Sequence, residues 1–183
     1  MKWPLFSVPV MALLLAADAP KEGEVPELNQ KVLAFTKDNL GKKVGDGECA
    51  TLAVQALREA KAKPWFISPE GEYIWGKLVR TVTPKTNLGG EALPGDIVQF
   101  RDVTTTGKVG GTTIEASYPL HTAVIAAVKD DGKIVELLHQ NYGEVQAKDE
   151  DRRKVQRSTL RFEDLQKGSI KIYRPAPRDG EKK

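Results

Sequence analysis

His121-Thr122-Ala123-Val124-Ile125-Ala126-Ala127-Val128, then Asp130-Asp131-Gly132, then Lys133-Ile134-Val135-Glu136-Leu137-Leu138-His139, is the stretch that decides the fold. Two apolar runs rich in valine and isoleucine flank a turn signal, which reads as a β-hairpin with Gly132 at the bulge position. With Asp130, Asp131 and Gly132 as the loop, Lys129 pairs with Lys133. Ile125 then faces Leu137, Ala123 faces His139, and His121 faces Asn141. Alternation puts His121, Ala123, Ile125 and Ala127 on one face, with Asn141, His139, Leu137 and Val135. That face is apolar except at one end, where both histidines of the chain and Asn141 gather.

An apolar face needs a cover, and Gly45-Asp46-Gly47-Glu48-Cys49-Ala50-Thr51-Leu52-Ala53 begins one. Cys49, Leu52, Ala53, Ala56, Leu57 and Ala60 recur at the spacing of one helix face. The helix is expected from about residue 48 to 62, before Pro64, with Asp46 as a candidate cap. Packed on the hairpin, its first turn would lie beside the polar end. Free N–H groups and the helix dipole there favour a thiolate at Cys49, and the same groups could hold an oxyanion. Cys49, His121 and a third polar group would then be nucleophile, base and base-orienter. The competing use of Cys49 is as a small buried core residue. Glu48 opposes thiolate formation unless its carboxylate points away. Zinc is a further use of one Cys and two His, but no tight pair such as C-x-x-C is present, so no metal and no cofactor is expected.

The remaining elements fill in around this pair. A first helix is expected over about residues 26–39, with Leu28, Val32 and Phe35 on one face. Residues 64–90 are broken by Pro64, Pro69, Pro84 and Gly89-Gly90. Within them Tyr73 and Trp75 alternate with Ile74 as a short strand. These two aromatics are candidates for lining a substrate groove, against the alternative of core packing. Leu93-Pro94-Gly95-Asp96 is a turn signal, and residues 97–100 read as a strand. Residues 104–119, rich in Thr and Gly, read as a long loop, which in a compact domain is often functional. Further strands are expected at 155–160 and 170–173, with a helical turn and a glycine stop over 161–168. Helices followed by a run of strands define an α+β fold, with the N-terminal helices on one side of a mainly antiparallel sheet.

The chain has 183 residues, 40% hydrophobic and 29% charged, which suits one globular domain. A net charge of +3 without a basic, aromatic-interleaved block gives no support for nucleic acid. Lys2 followed by an apolar run from Trp3 to Ala17 and the small residues Ala16-Ala17-Asp18-Ala19 reads as a signal peptide. That run is short for a membrane span. The expected organisation is a signal peptide over 1–19, a linker over 20–25, one domain over 26–175 and a polar tail over 176–183. The expected location is secreted or periplasmic, as a monomer with no stable membrane association after cleavage. In an exported protein the lone Cys49 has no internal disulfide partner and draws attention to its thiol.

Taken in order, Gly47-Glu48-Cys49-Ala50-Thr51-Leu52-Ala53, Leu93-Pro94-Gly95-Asp96-Ile97-Val98-Gln99-Phe100, His121-Thr122-Ala123-Val124-Ile125 and His139-Gln140-Asn141-Tyr142-Gly143 resemble the CHAP and NlpC/P60 families. These are papain-like cysteine peptidases and amidases. The resemblance implies a papain-like, NlpC/P60-type fold with Cys49 as nucleophile and His121 as general base. Asn141 matches the CHAP pattern Glu-x-Asn, in which His139 stands where Glu is usual. NlpC/P60 members often carry a histidine as the third polar residue, so either His139 or Asn141 is the orienter. Glu48 departs from the Gln or Asp usual before the cysteine. The function implied is cleavage of amide bonds in peptidoglycan peptides. The alternative is a catalytically inactive papain-like module that binds a peptide or glycan.

Overall fold

A computed structural model describes residues 25–143 and 148–178. Its elements in chain order are α1 (Glu27–Asp38), α2 (Cys49–Glu59), β1 (Phe66–Ile67), β2 (Tyr73–Ile74), β3 (Lys77–Thr83), β4 (Thr86–Gly89), β5 (Ile97–Val109), β6 (Thr112–Lys129), β7 (Ile134–His139), α3 (Asp149–Arg152), β8 (Gln156–Arg161) and β9 (Leu165–Arg174). A 3₁₀ turn, Phe162–Asp164, joins β8 to β9. Seven strands form one sheet in the order β4-β3-β9-β5-β6-β7-β8, and β1 pairs with β2 separately. Every neighbouring pair is antiparallel. This is the expected α+β class, with two helices preceding an antiparallel sheet.

The two faces of the sheet have different covers. On one face, Val82, Val98, Phe100, Ala123, Ile125, Val135, Leu137, Leu160, Ile170 and Ile172 pack into a single cluster. Their strands run from β3 near one edge to β8 at the other, so the sheet curls over its own apolar face. Arg80 ties the curl. Its Nη1 donates to the Gly132 carbonyl at 3.1 Å, and its guanidinium lies 5.2 Å above the Phe162 ring. The opposite face carries the helices. Ile97, Val124 and Tyr173 meet Val32, Ala53, Ala56, Leu57 and Trp75, while Ala126 and Leu138 meet Leu52.

This corrects the expectation that α2 covers Ala123 and Ile125. The alternation was read correctly, but both faces of β6 and β7 are apolar, so pattern alone could not say which face takes the helices. The turn differs as well. Lys129 pairs with Ile134, one residue later than expected, and Asp130, Asp131 and Gly132 all take positive φ. A register shift between Ile125 and Ala127 absorbs the extra residue, so Ile125 still faces Leu137.

Residues 104–119 are no loop. Thr104, Thr105 and Thr106 of β5 pair with Ser117, Ala116 and Glu115 of β6, and the chain turns at Gly110-Gly111. β-branched threonines favour extended backbone, but a ribbon solvated on both sides shows no apolar alternation. Gly168 does not stop a helix either. It lies within β9 at φ +84, where a Cβ would sit 2.4 Å from the Asp102 carbonyl oxygen. Asp102 is itself at φ 52, so β5 and β9 are irregular opposite each other.

Candidate functional site

The α2 N-terminus is anchored to the end of β7 through side-chain bonds. Gln140, fully buried just past β7, accepts the Val44 N–H at 2.6 Å and donates to the carbonyls of Val44 and Glu48 at 3.2 and 3.1 Å. Asp46 Oδ1 accepts the Glu48 N–H at 3.0 Å, which closes the glycine-flanked turn. The Glu48 carboxylate is held from two sides, by Asn141 Nδ2 at 2.7 Å and Arg153 Nη1 at 2.6 Å. Cys49 follows as the first helical residue, half-buried.

Across the sheet, His121 and His139 are joined directly. His121 Nε2 and His139 Nδ1 are 2.9 Å apart, and one of the two nitrogens donates. The pair is sunk in the molecule, His121 at 6% exposure and His139 at 1%. Aromatic rings enclose it. Tyr142 stacks on His139 at 3.9 Å between centroids, and Tyr118 and Phe100 lie 5.6 and 5.8 Å from His121. Gln99 fixes the strand beneath, donating to the His121 carbonyl at 2.9 Å while accepting from Trp75 Nε1 and Thr122 Oγ1.

The electrostatics favour neutral groups. Burial pushes the Cys49 thiol up from its ordinary value, and the Glu48 charge adds to that. The backbone N–H groups of Thr122, Ala50 and Cys49 itself oppose the rise without overcoming it. The thiolate expected from the helix terminus is therefore corrected to a thiol, because desolvation outweighs the N–H groups. Burial also holds His121 down, to about 4. His139 is lowered well below the ordinary histidine value by burial and by the His121 charge. Among the described residues no hydrogen bond joins Cys49 to His121; the partner of His121 Nε2 is His139.

The other candidates separate. Asn141, at φ 50, binds Glu48, and the pairing of β6 with β7 ends before it, so the cross-strand pair expected with His121 is not formed. Its position lies past the end of β7, where pairing has stopped. Trp75 is fully buried, with its N–H on Gln99, so it belongs to the core rather than to a groove wall. Tyr73 is half-buried and stacks with Trp65 and Trp75 at 5.3 and 5.8 Å. Sequence reading missed Gln140, Gln99, Tyr118, Tyr142 and Arg153. The first four lie beside or within quoted motifs, but their roles depend on tertiary contacts that no local pattern carries.

A cysteine opens α2 and two hydrogen-bonded histidines lie on the neighbouring antiparallel sheet, an α+β layout that the comparisons with known proteins place in the cysteine proteinase fold. The chain belongs to the AIM3/BBC1 cysteine proteinase-fold domain family, whose model matches residues 26–182. It is similar to the altered inheritance of mitochondria protein 3 of Debaryomyces hansenii, 26% identical over 154 residues. The matched stretch is 80% of this chain and 16% of that protein, so the chain spans a small part of its relative's length. No solved structure matches.

These findings overturn the exported peptidoglycan hydrolase. Peptidoglycan is a bacterial wall polymer, whereas the family and the relative are AIM3 proteins, the relative from a yeast. Peptidoglycan as partner and a secreted or periplasmic location fall with it. The likeness to CHAP and NlpC/P60 reduces to the shared papain-like fold. The signal peptide expected over 1–19 lies outside the described residues, as do most of the linker over 20–25 and the end of the tail over 176–183.

Proposed function

We propose that this chain is an interaction module built on a cysteine proteinase fold, with Cys49, His121 and His139 in a resting, uncharged and non-nucleophilic arrangement. The observation that carries this reading is the burial of the histidine pair inside a ring of aromatic side chains. The thiol is pushed up, His121 is held down to about 4, and His121 Nε2 is bonded to His139 inside an aromatic enclosure. A cysteine nucleophile acts as the thiolate and sits in an electropositive, partly open site. Here the Glu48 carboxylate acts on the thiol and raises its pKa. The small share of the Debaryomyces hansenii protein that the match covers agrees with a module carried in a longer chain.

A second reading is a cysteine peptidase, favoured by the 2.9 Å bond between the histidines. Among the described residues no hydrogen bond engages His121 Nδ1, which would take the proton, with His139 as the orienting group. The two readings part on one experiment. Wild type and Cys49→Ala are incubated with a fluorogenic peptide library at pH 7, and iodoacetamide labelling of Cys49 is timed against a free thiol. The module reading expects equal background turnover and labelling at least about tenfold slower than the free thiol. Cys49-dependent cleavage with fast labelling would establish the peptidase instead.

A further inference from the structure

Among the described residues β8 is an edge strand with only β7 beside it. Phe162 donates its N–H to the Lys133 carbonyl, and the ladder pairs Leu160 with Val135 and Ser158 with Leu137. Even-numbered residues therefore bond inward to β7, and alternation turns the N–H and C=O of Arg157, Thr159 and Arg161 outward. The row begins one residue before the strand. Val155 donates to the Lys42 carbonyl at 2.8 Å and accepts the Gly41 N–H at 2.9 Å. Leu40 and Lys43 make isolated bridges to Val155 and Lys154. The chain thus supplies the first rung of an added strand, and among the described residues the rest of the edge is open.

The unpaired charge along this edge is one-sided. From Arg152 to Arg161 the sequence carries Arg152, Arg153, Lys154, Arg157 and Arg161 and no acidic residue. Arg153 and Lys154 are balanced by Asp149, Glu48 and Asp151, and Arg157 by Glu136. Arg161, Lys43 and Lys133 make no ion pair among the described residues. Glu163 and Asp164 come only past the strand's end. The exposed side chains of β8 are Arg157, Thr159 and Arg161, the same residues whose backbone faces outward. Two copies pairing edge to edge would set arginines against each other, which discourages self-association. An acidic strand meets no such repulsion.

We propose that the open edge of β8 binds an extended acidic peptide segment of a partner protein as an added strand. Main-chain bonds to Arg157 and Thr159 would hold it, and Lys43, Lys133 and Arg161 would select its charge. This rests on the reading of the domain as an interaction module and gives it a surface separate from the buried histidines. The test uses the full chain and a peptide alternating valine with glutamate, followed by amide exchange in NMR; a valine–lysine peptide serves as control. The expected result is slowed exchange at Arg157 and Thr159 with the acidic peptide and none with the basic one. Thr159→Pro removes an outward N–H without touching the ladder to β7, and Arg161→Glu reverses a charge. Each should weaken binding at least about tenfold.

Free exchange at Arg157 and Thr159 under saturating acidic peptide would overturn the inference. So would equal binding of the basic peptide. Binding of anionic phospholipid vesicles or an oligonucleotide in preference to the peptide, undiminished by Thr159→Pro, would overturn it too, since it needs charge without strand pairing. Should Thr159→Pro fail to fold, Arg161→Glu and the exchange pattern still decide. Peptide effects confined to amides around Cys49 and His121 would overturn the edge and spare the module reading. Cys49-dependent cleavage of a peptide that still protects Thr159 would do the reverse.

Discussion

At the scale of single residues, the buried histidine pair makes stability depend on pH. His121 is held down to about 4 in the folded chain against an ordinary value near 6.5. The unfolded chain therefore binds the proton first. The stabilisation is fully present above pH 6.5 and is lost as pH falls toward 4, with a magnitude of about 3 kcal/mol from His121 alone. His139 acts in the same direction. Denaturant unfolding at pH 7.5 and pH 4.5 should show this loss. Tyr142→Ala, which uncovers His139, should flatten the slope by letting the folded histidines titrate nearer their ordinary value. A slope unchanged in that variant would mean that the Tyr142 ring is not what keeps the pair dry. At this scale much was legible in sequence. The lone cysteine before an apolar helix and the two histidines at one end of a hairpin follow from spacing. The thiol's protonation state was not legible, because desolvation depends on what packs around the sulfur.

Among the elements, Gln140 joins β7 to the turn before α2 and is the link between sheet and helix terminus. It satisfies the N–H and C=O of Val44 and the C=O of Glu48. Gln140→Ala should leave buried backbone groups unpaired, at about 1–3 kcal/mol each where water does not enter. A loss of stability in urea, together with faster alkylation of Cys49, should follow, since the same contacts fix the first turn of α2. A stability loss with unchanged alkylation would separate the two effects. Gly168→Ala tests the sheet in the same way. Its φ of +84 and the Asp102 carbonyl in its Cβ position leave no room for a side chain, so more than about 2 kcal/mol should be lost. Helix positions and the β6–β7 hairpin were readable because their apolar periods are long. The β5–β6 ribbon and the irregular β5–β9 pairing were not, since neither buries a periodic face.

At the scale of the whole molecule, one carboxylate ties the layers together. Leu93-Pro94-Gly95-Asp96 reads in sequence as a turn, but Asp96 is fully buried. Its Oδ1 accepts from Asn29 Nδ2 of α1 at 2.7 Å and from Arg174 Nε of β9 at 3.1 Å. Its Oδ2 accepts from the Leu93 N–H at 2.8 Å and from Arg174 Nη2 at 3.0 Å. Gly95 beside it takes φ +82 with the Asn29 carbonyl oxygen 2.1 Å from where a Cβ would lie, so helix and turn meet backbone to backbone. Helix α1, the β4–β5 connection and the last strand thus share one charged centre. A buried ion pair broken from one side leaves its partner uncompensated, at about 3–5 kcal/mol. Asp96→Ala should therefore destabilise the chain by that order, because Arg174 and Asn29 both lose their carboxylate acceptor and keep only the carbonyls of Glu91 and Pro94. Arg174→Ala should do nearly as much, since it leaves the buried carboxylate with neutral donors alone. The double variant should cost clearly less than the sum, which a denaturant-unfolding cycle measures directly. Additive losses would show that Asp96 and Arg174 act through separate neighbours, with the Asn29 hydrogen bond rather than the ion pair joining α1 to this centre.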